Sequence, residues 1–424
     1  MSFLAAAPES ADAALSHFLL QLSLILVVAR AAGKAARLVG QPQVVGEMVA
    51  GILLGPTCFG SLMPGTFHAL FETASPLPLS ILSQIGLILI LFQIGLEFDF
   101  GHLREGGNRR AVRWVAAVGI VFPALLGAGF GWLSRGTFAP RVPGPTYVSF
   151  MAVALCITAM PVLGRILLEL GIGRSRVGVL AITCAAVGDV AGWLMLAAVT
   201  ALAQARLDGG FLALRFGAVA LFVAGTWFAV RPLLRRLARR AVSTDGAAAV
   251  GLLLAALFVF GWATQEIGIH VIFGGFWCGV LLHEELAFVA WWRERASLLV
   301  GVFFLPIFFT YTGLHTDVNG LTAASLWGWC ALLLVVAVVG KFGGCWAAGR
   351  VAGLPPAEAR CLAILMNTRG LLELVVAAVG YQLGIIPQTL FTMLVLMALA
   401  STFLTTPCLR AWLPATRPGE PQPQ

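Results

Sequence analysis

Charge is what this sequence has least of. Asp, Glu, Lys and Arg make up 11% of its 424 residues, against 59% hydrophobic, where a soluble domain carries about 25% charged residues. No soluble core could hide that much apolar surface. Catalytic signatures are missing too. There is no HExxH, no GxSxG and no paired DDxxD-type acids, so protease, hydrolase and prenyl-transfer chemistry have no support and an enzyme is not expected. The six histidines have no ligand spacing. The eight cysteines are scattered, mostly inside apolar blocks, without a CxxC. No resident metal, disulfide or cofactor is expected from them. The stretch from Met1 to Asp12 has acids but no basic region, so a cleaved signal peptide is not expected. Residues 414–424 read as a short disordered cytoplasmic tail, and no soluble domain is expected at either end.

The apolar residues fall into blocks of roughly 20, the length that crosses a hydrocarbon core as helix. Backbone in lipid must satisfy its own hydrogen bonds, so blocks this long predict helices rather than barrel strands. About thirteen segments are expected, starting near Ala14, Pro42, Leu79, Ala111, Tyr147, Arg176, Phe211, Ala247, Ile269, Ala296, Leu321, Glu358 and Pro387. The fold class is all-α and polytopic, and an odd number of crossings puts the termini on opposite sides. Basic residues in short loops set the orientation. One set of loops and the C-terminal tail hold 21 of the 27 Lys and Arg residues, the opposite loops hold 4, and Lys341 and Arg369 lie inside segments. This predicts a bacterial inner-membrane protein with its N-terminus outside and its C-terminus cytoplasmic. The net charge of +8 is then a topology signal. Membrane lipid is an expected partner and nucleic acid is not.

The chain also repeats itself faintly. Gly95-Leu96-Glu97-Phe98-Asp99 closes segment 3, and Gly313-Leu314-His315-Thr316-Asp317 closes segment 10. Gly46 and Gly51-Ile52-Leu53-Leu54 of segment 2 correspond to Gly274 and Gly279-Val280-Leu281-Leu282 of segment 9. Thr158-Ala159-Met160-Pro161 of segment 5 corresponds to Asn367-Thr368-Arg369-Gly370 of segment 12. The offsets are 218, 228 and 209 residues. Each pair lies seven segments apart, an odd number, so the two copies are inverted in the membrane as in many secondary transporters.

A pair of interrupted helices at matching places in two such halves points to a transport site. Pro161 removes a helical hydrogen bond and crowds the preceding turn. Asn367 and Gly370 are poor helix formers, and Thr368 can bond its own backbone. Both helices are expected to unwind, at 158–161 and 367–370, and to cross near the bilayer centre. A simple kink and a tolerated polar turn are the plainer alternative. Between the breaks lies Asp189, mid-segment with no other acid within a turn. A lone carboxylate at membrane depth is costly and is a functional hypothesis. It can hold either a proton or a cation, which exchange requires; a structural anchor is the alternative. Lys341 reads either as counter-ion to Asp189 or to the negative end of a broken helix, or as a side chain snorkelling to the cytoplasmic face. Arg369 and Glu373, four apart, are expected to pair as a structural unit. Glu47 is expected to cap or pair near the cytoplasmic entrance. Glu97 and Asp99 are expected at the cytoplasmic rim, balanced by Arg104.

At these residues the chain resembles the monovalent cation:proton antiporter-2 family, which includes bacterial potassium-efflux and sodium/proton antiporters and plant cation exchangers. The matching stretches are QPQVVGEMVAGILLGPT (41–57), FQIGLEFD (92–99), TAMPVLGRILLEL (158–170), GDVAGW (188–193), FFLPIFFTYTGLHTD (303–317) and NTRGLLELVV (367–376). They run in family order along most of a membrane domain covering 1–413. The resemblance implies a sodium/proton antiporter-like fold and a homodimer. Scaffold and dimer helices would occupy about 14–100 and 247–315, the moving core about 111–203 and 321–412, and a linker helix about 211–232. It implies Asp189 as the ion-binding residue with Thr158 beside it, breaks at Thr158, Ala159, Met160 and Pro161 and at Asn367, Thr368, Arg369 and Gly370, and Lys341 as the core lysine. Relatives often carry Asp, Asn or Gln before the aspartate, where this chain has Gly188. Lys341 then lacks that partner, and Asp189 is the candidate in its place. The implied function is exchange of Na⁺ or K⁺ for H⁺, one for one and electroneutral if Lys341 keeps its proton. The space left by Gly188 keeps open an alternative, export of an organic cation or ionophore complex.

Overall fold

The computed structural model describes residues 11–72, 77–97, 109–173, 175–204, 209–243, 246–267 and 271–412. They are helical almost throughout, and a helix begins within three residues of every start expected from the apolar blocks. The first part of the chain gives α1 (Ala11–Leu38), α2 (Gln43–Gly60), α3 (Leu77–Leu96), α4 (Arg109–Phe138), α5 (Gly144–Cys156), α6 (Met160–Glu169) and α7 (Arg176–Gln204). Helix α8 (Gly209–Gly225) runs on through Thr226–Val230 and Arg231–Ala241. Next come α9 (Ala247–Ile267), α10 (Ile272–Leu282), α11 (Leu286–Arg295) and α12 (Ser297–Leu314). The chain closes with α13 (Ala324–Val351), α14 (Pro356–Met366), α15 (Leu371–Gln382) and α16 (Gln388–Trp412). Among the described residues ten helices are long and apolar enough to cross a membrane. Their exposed faces carry Leu19, Val27, Trp132, Leu221 and Phe228, the outward-facing apolar surface that suits lipid. Asp99, Arg104 and the 414–424 tail lie outside the described residues; Glu97 is exposed just beyond α3.

The helices pack in two groups. Helices α1, α2, α3, α9, α10 and α12 pack on one another, and α4 to α7 pack with α13 to α16. Packing between the groups is sparse, and its largest patch sets α2 against α16.

The inverted repeat is visible in how the first group packs. A Cβ on Gly46 would strike the Ala32 carbonyl, and one on Gly274 would strike the Phe260 carbonyl. Phe260 is Ala32 displaced by 228 positions, the same offset as Gly274 from Gly46. Likewise Gly313 of α12 meets the Gly51 backbone of α2, while Gly95 of α3 meets Gly279 of α10. The second contact is the first carried through the repeat. Only residues without a side chain allow backbones to approach this closely.

Candidate functional site

Helix α5 stops at Cys156, and Ile157, Thr158 and Ala159 are not helical. Met160 and Pro161, expected within the break, instead open α6. In a first turn the N–H that proline lacks has no helical partner to lose, and its fixed φ suits the helix. The second break falls at Asn367, Thr368, Arg369 and Gly370, between α14 and α15. Gly370 adopts φ 156°, ψ −125°, a conformation that side chains disfavour, and a Cβ there would come within 2.8 Å of Val162. The two breaks touch. The Ala159 N–H donates to the Thr368 carbonyl at 3.1 Å, and the Thr158 hydroxyl donates to the Met366 carbonyl at 3.3 Å. Backbone groups that neither helix can satisfy are thus satisfied by the other break, as membrane depth requires.

Two broken helices have four inner ends, each carrying a partial charge of roughly half an elementary unit. Each end faces a group that opposes its charge. At the negative end of α5, the Arg369 guanidinium donates to the carbonyls of Ala154 (3.2 Å) and Leu155 (2.8 Å). At the positive end of α15 sits Glu373, 2.7 Å from Arg369. At the negative end of α14, Leu365 and Met366 accept from the hydroxyls of Thr368 and Thr158. Lys341 Nζ in turn donates to Thr158 at 2.7 Å. At the positive end of α6, the Met160 N–H faces Asp189 without closing a hydrogen bond to it.

The two acids differ in one respect. Glu373 and Asp189 are both 1% exposed, but Glu373 is held by Arg369, whereas among the described residues neither carboxylate oxygen of Asp189 has a hydrogen-bond partner. Nor is Asp189 in a direct ion pair with Lys341 among the described residues; the lysine acts on it through space. Its Nζ donates instead to Thr158, at the negative end of α14, and to the Gly119 carbonyl, 2.8 Å away. Snorkelling is excluded: the residue is 1% exposed and lies in a π-helical turn, Val339–Gly343, a local widening frequent at functional sites. The Thr158 hydroxyl, already used as donor and acceptor, keeps one lone pair for anything else. Beside Asp189, a Cβ on Gly188 would meet no atom within 4 Å.

Three further groups had weak or no signal in the sequence. The Gly119 carbonyl accepts from Lys341 because Pro123, four residues on in α4, has no N–H to give it. The Thr402 hydroxyl accepts from the Arg369 N–H at 3.0 Å and donates to its carbonyl at 2.5 Å. Trp193, one turn beyond Asp189, packs on Phe276 and Phe273 of α10, at 5.8 and 5.5 Å between rings, and so bridges the two packing groups. Glu47 lies apart from the crossing. It is buried, accepts from Gln43 at 2.8 Å and stands 3.7 Å from Arg30.

The family described as "Sodium/hydrogen exchanger, transmembrane" matches residues 23–414. The chain belongs to this family. Among its relatives, the chain is 36% identical over 409 residues to cation/H(+) antiporter 18 of Arabidopsis thaliana, covering 96% of this chain and 50% of that protein. It is 35% identical over 408 residues to Na(+)/H(+) antiporter NhaS4 of Synechocystis, covering 94% and 97%. With K(+)/H(+) antiporter 1 of Saccharomyces cerevisiae it shares 31% over 409 residues, covering 93% and 46%. The chain thus spans about half the length of the plant and yeast relatives. Its fold matches that of the sodium proton antiporter MjNhaP1 of Methanocaldococcus jannaschii at a TM-score of 0.60, over 94% of this chain and 97% of that one, with 16% identity. At that identity the likeness concerns the fold alone.

Proposed function

We propose that this chain exchanges a monovalent cation, Na⁺ or K⁺, for H⁺ by alternating access, with Asp189 carrying either load. The observation that carries this reading is the contrast between the two buried acids: Glu373 is committed to Arg369, while Asp189 has no hydrogen-bond partner among the described residues. A buried carboxylate without a partner is costly unless something it transports neutralises it. The names of the relatives, which include Na⁺/H⁺, K⁺/H⁺ and cation/H⁺ antiporters, support the same class of cargo. With Lys341 charged throughout, one cation or one proton on Asp189 gives the same net charge, so exchange is one for one and electroneutral.

The sparse packing between groups supports motion of a core (about 111–203 and 321–412) against a scaffold (about 14–100 and 247–315), with 211–232 as linker. The scaffold is the surface for a homodimer in a bacterial inner membrane, N-terminus outside and C-terminus cytoplasmic. A second reading, export of an organic cation, draws on the open space at Gly188.

The test is reconstitution in vesicles with an internal pH-sensitive dye. A pH gradient is imposed and Na⁺, K⁺, Li⁺ or choline is added, for wild type and Asp189→Asn. Collapse of the gradient by Na⁺ or K⁺ in wild type alone supports antiport at Asp189. A response to choline alone favours organic cargo, and equal responses in both proteins sink the assignment.

A further inference from the structure

The corner between α1 and α2 is fixed by its backbone. Gly40 ends α1 at φ 75°. Its N–H donates to the Arg37 carbonyl at 3.0 Å, and the Gln41 N–H donates to the Ala36 carbonyl at 2.8 Å. These are the two bonds of a helix end closed by glycine. Pro42 follows, immediately before α2, so Gln41 has little backbone freedom; it is 4% exposed. Across the boundary between the packing groups, Pro407 lies inside α16 and has no N–H for the carbonyl four residues back. That carbonyl belongs to Phe403, and the Gln41 amide donates to it at 3.2 Å. The bond joins residues 362 apart in sequence, at the α2–α16 patch that is the largest between the groups. Beside it, the Arg410 guanidinium of α16 lies against Gly40, where its charge suits the negative end of α1.

We propose that Gln41 is a latch across this boundary: it joins the two groups at the carbonyl that Pro407 leaves open, and releases it each time α16 travels on α2. A buried carbonyl without a donor is costly, so the joined arrangement needs the amide, whereas water serves the carbonyl once the groups part. The latch is also light. The amide oxygen of Gln41 has no hydrogen-bond partner among the described residues, and parting the groups gives it water too. One bond made and one acceptor left unmet keep the joined and parted arrangements close in free energy, which a moving boundary requires. The part played in each transport cycle rests on the proposed antiport; the joining of the two groups does not.

The test reads the ratio of joined to parted molecules from dipolar broadening between two spin labels, in the purified full chain in detergent. The labels sit at Leu38→Cys and Ala411→Cys, two exposed positions flanking the Gly40–Arg410 contact, with the half-buried Cys58 and Cys408 changed to serine. Gln41→Met keeps the length of the side chain but cannot donate, and is expected to lower the ratio about tenfold. Pro407→Ala gives the Phe403 carbonyl a helical donor. Added to Gln41→Met, it is expected to restore most of the ratio; alone, it is expected to leave the ratio near that of wild type. Both Met variants lack the unmet amide oxygen, so comparing them isolates the carbonyl. An unchanged ratio in Gln41→Met overturns the proposal. So does failure of Pro407→Ala to restore it, or an equal rise from Pro407→Ala with Gln41 in place, which would make the effect one of helix shape. If Gln41→Met does not fold, Gln41→Leu carries the same cycle under the same criteria. Uncoupled ion flux in vesicles would sink antiport and leave this result standing.

Discussion

Pro123 leaves the Gly119 carbonyl without a helical donor, and Lys341, 222 residues away in sequence, takes that acceptor at 2.8 Å. The lysine therefore serves two buried acceptors, Gly119 and Thr158, as well as supplying charge. Lys341→Gln can still donate to both, whereas Lys341→Met leaves them unmet, at about 1–3 kcal/mol for each orphaned group. Thermal unfolding in detergent should rank wild type above Gln and Gln well above Met. Equal losses for the two variants would mean that only the charge matters.

Arg369 couples three elements: it covers the end of α5, pairs with Glu373 in α15, and is held by Thr402 of α16. Removing one partner of a buried pair costs about 3–5 kcal/mol, so Arg369→Gln should lose much of the folded yield. Adding Glu373→Gln removes the abandoned charge, and the double variant should be less destabilised than the sum of the two single ones. Strict additivity in a double-mutant cycle would argue against the coupling.

Gly188 has room beside it. Gly188→Asn should therefore fold, with its unfolding temperature near that of wild type. Its amide oxygen would add a ligand next to Asp189, so the apparent affinity for cation should change by several-fold, an effect of order 1 kcal/mol. Parallel measurements of cation concentration dependence and melting would expose the opposite pattern, lost stability with affinity unchanged.

Between α10 and α11, Glu284 and Glu285 clamp Arg231, Arg235 and Arg239 at 2.6–2.9 Å. Partial burial works against ionisation of Glu284, but Arg231 and Arg235 outweigh it and hold the carboxyl below its usual 4.5. For Glu285 the Arg239 hydrogen bond is the leading cause of a shift in the same direction. Folded values below the unfolded ones mean that the clamp's contribution is complete above about pH 4.5 and is lost as pH falls through the folded values. The melting temperature of wild type relative to Glu284→Gln/Glu285→Gln should hold steady from neutral pH to about 4.5 and converge below it. A gap unchanged at pH 3 would refute this.

Much of the crossing was legible because it depends on residues whose local chemistry is unusual. Asn367 and Gly370 mark where a helix cannot continue, Pro161 marks where one restarts, and Asp189 is conspicuous for lack of neighbouring charge. The i, i+4 spacing of Arg369 and Glu373 foretold their pairing. The partner of Lys341 was not legible, because a hydrogen bond across 222 residues depends on how α4 and α13 pack; only Pro123 hints at an open carbonyl. Thr402 gave no warning, since a threonine inside a helix usually bonds to its own preceding turn. The repeat motifs were readable as motifs, yet nothing in them told that Gly51 meets Gly313 and Gly95 meets Gly279.

Those glycine seams have a mechanical meaning. Helices separated by long side chains can slide as the side chains change rotamer, but backbone pressed against backbone has no such cushion. Under the proposed alternating access, the seams of α2 with α12 and of α3 with α10 would make the first packing group the stator. The proposed travel would then fall where flexible groups intervene, such as Trp193 against Phe276 or Gln41 against the Phe403 carbonyl. A single methyl group added at Gly51 or Gly279 would be a wedge in the frame itself, and would disable the machine without touching a single residue of its crossing.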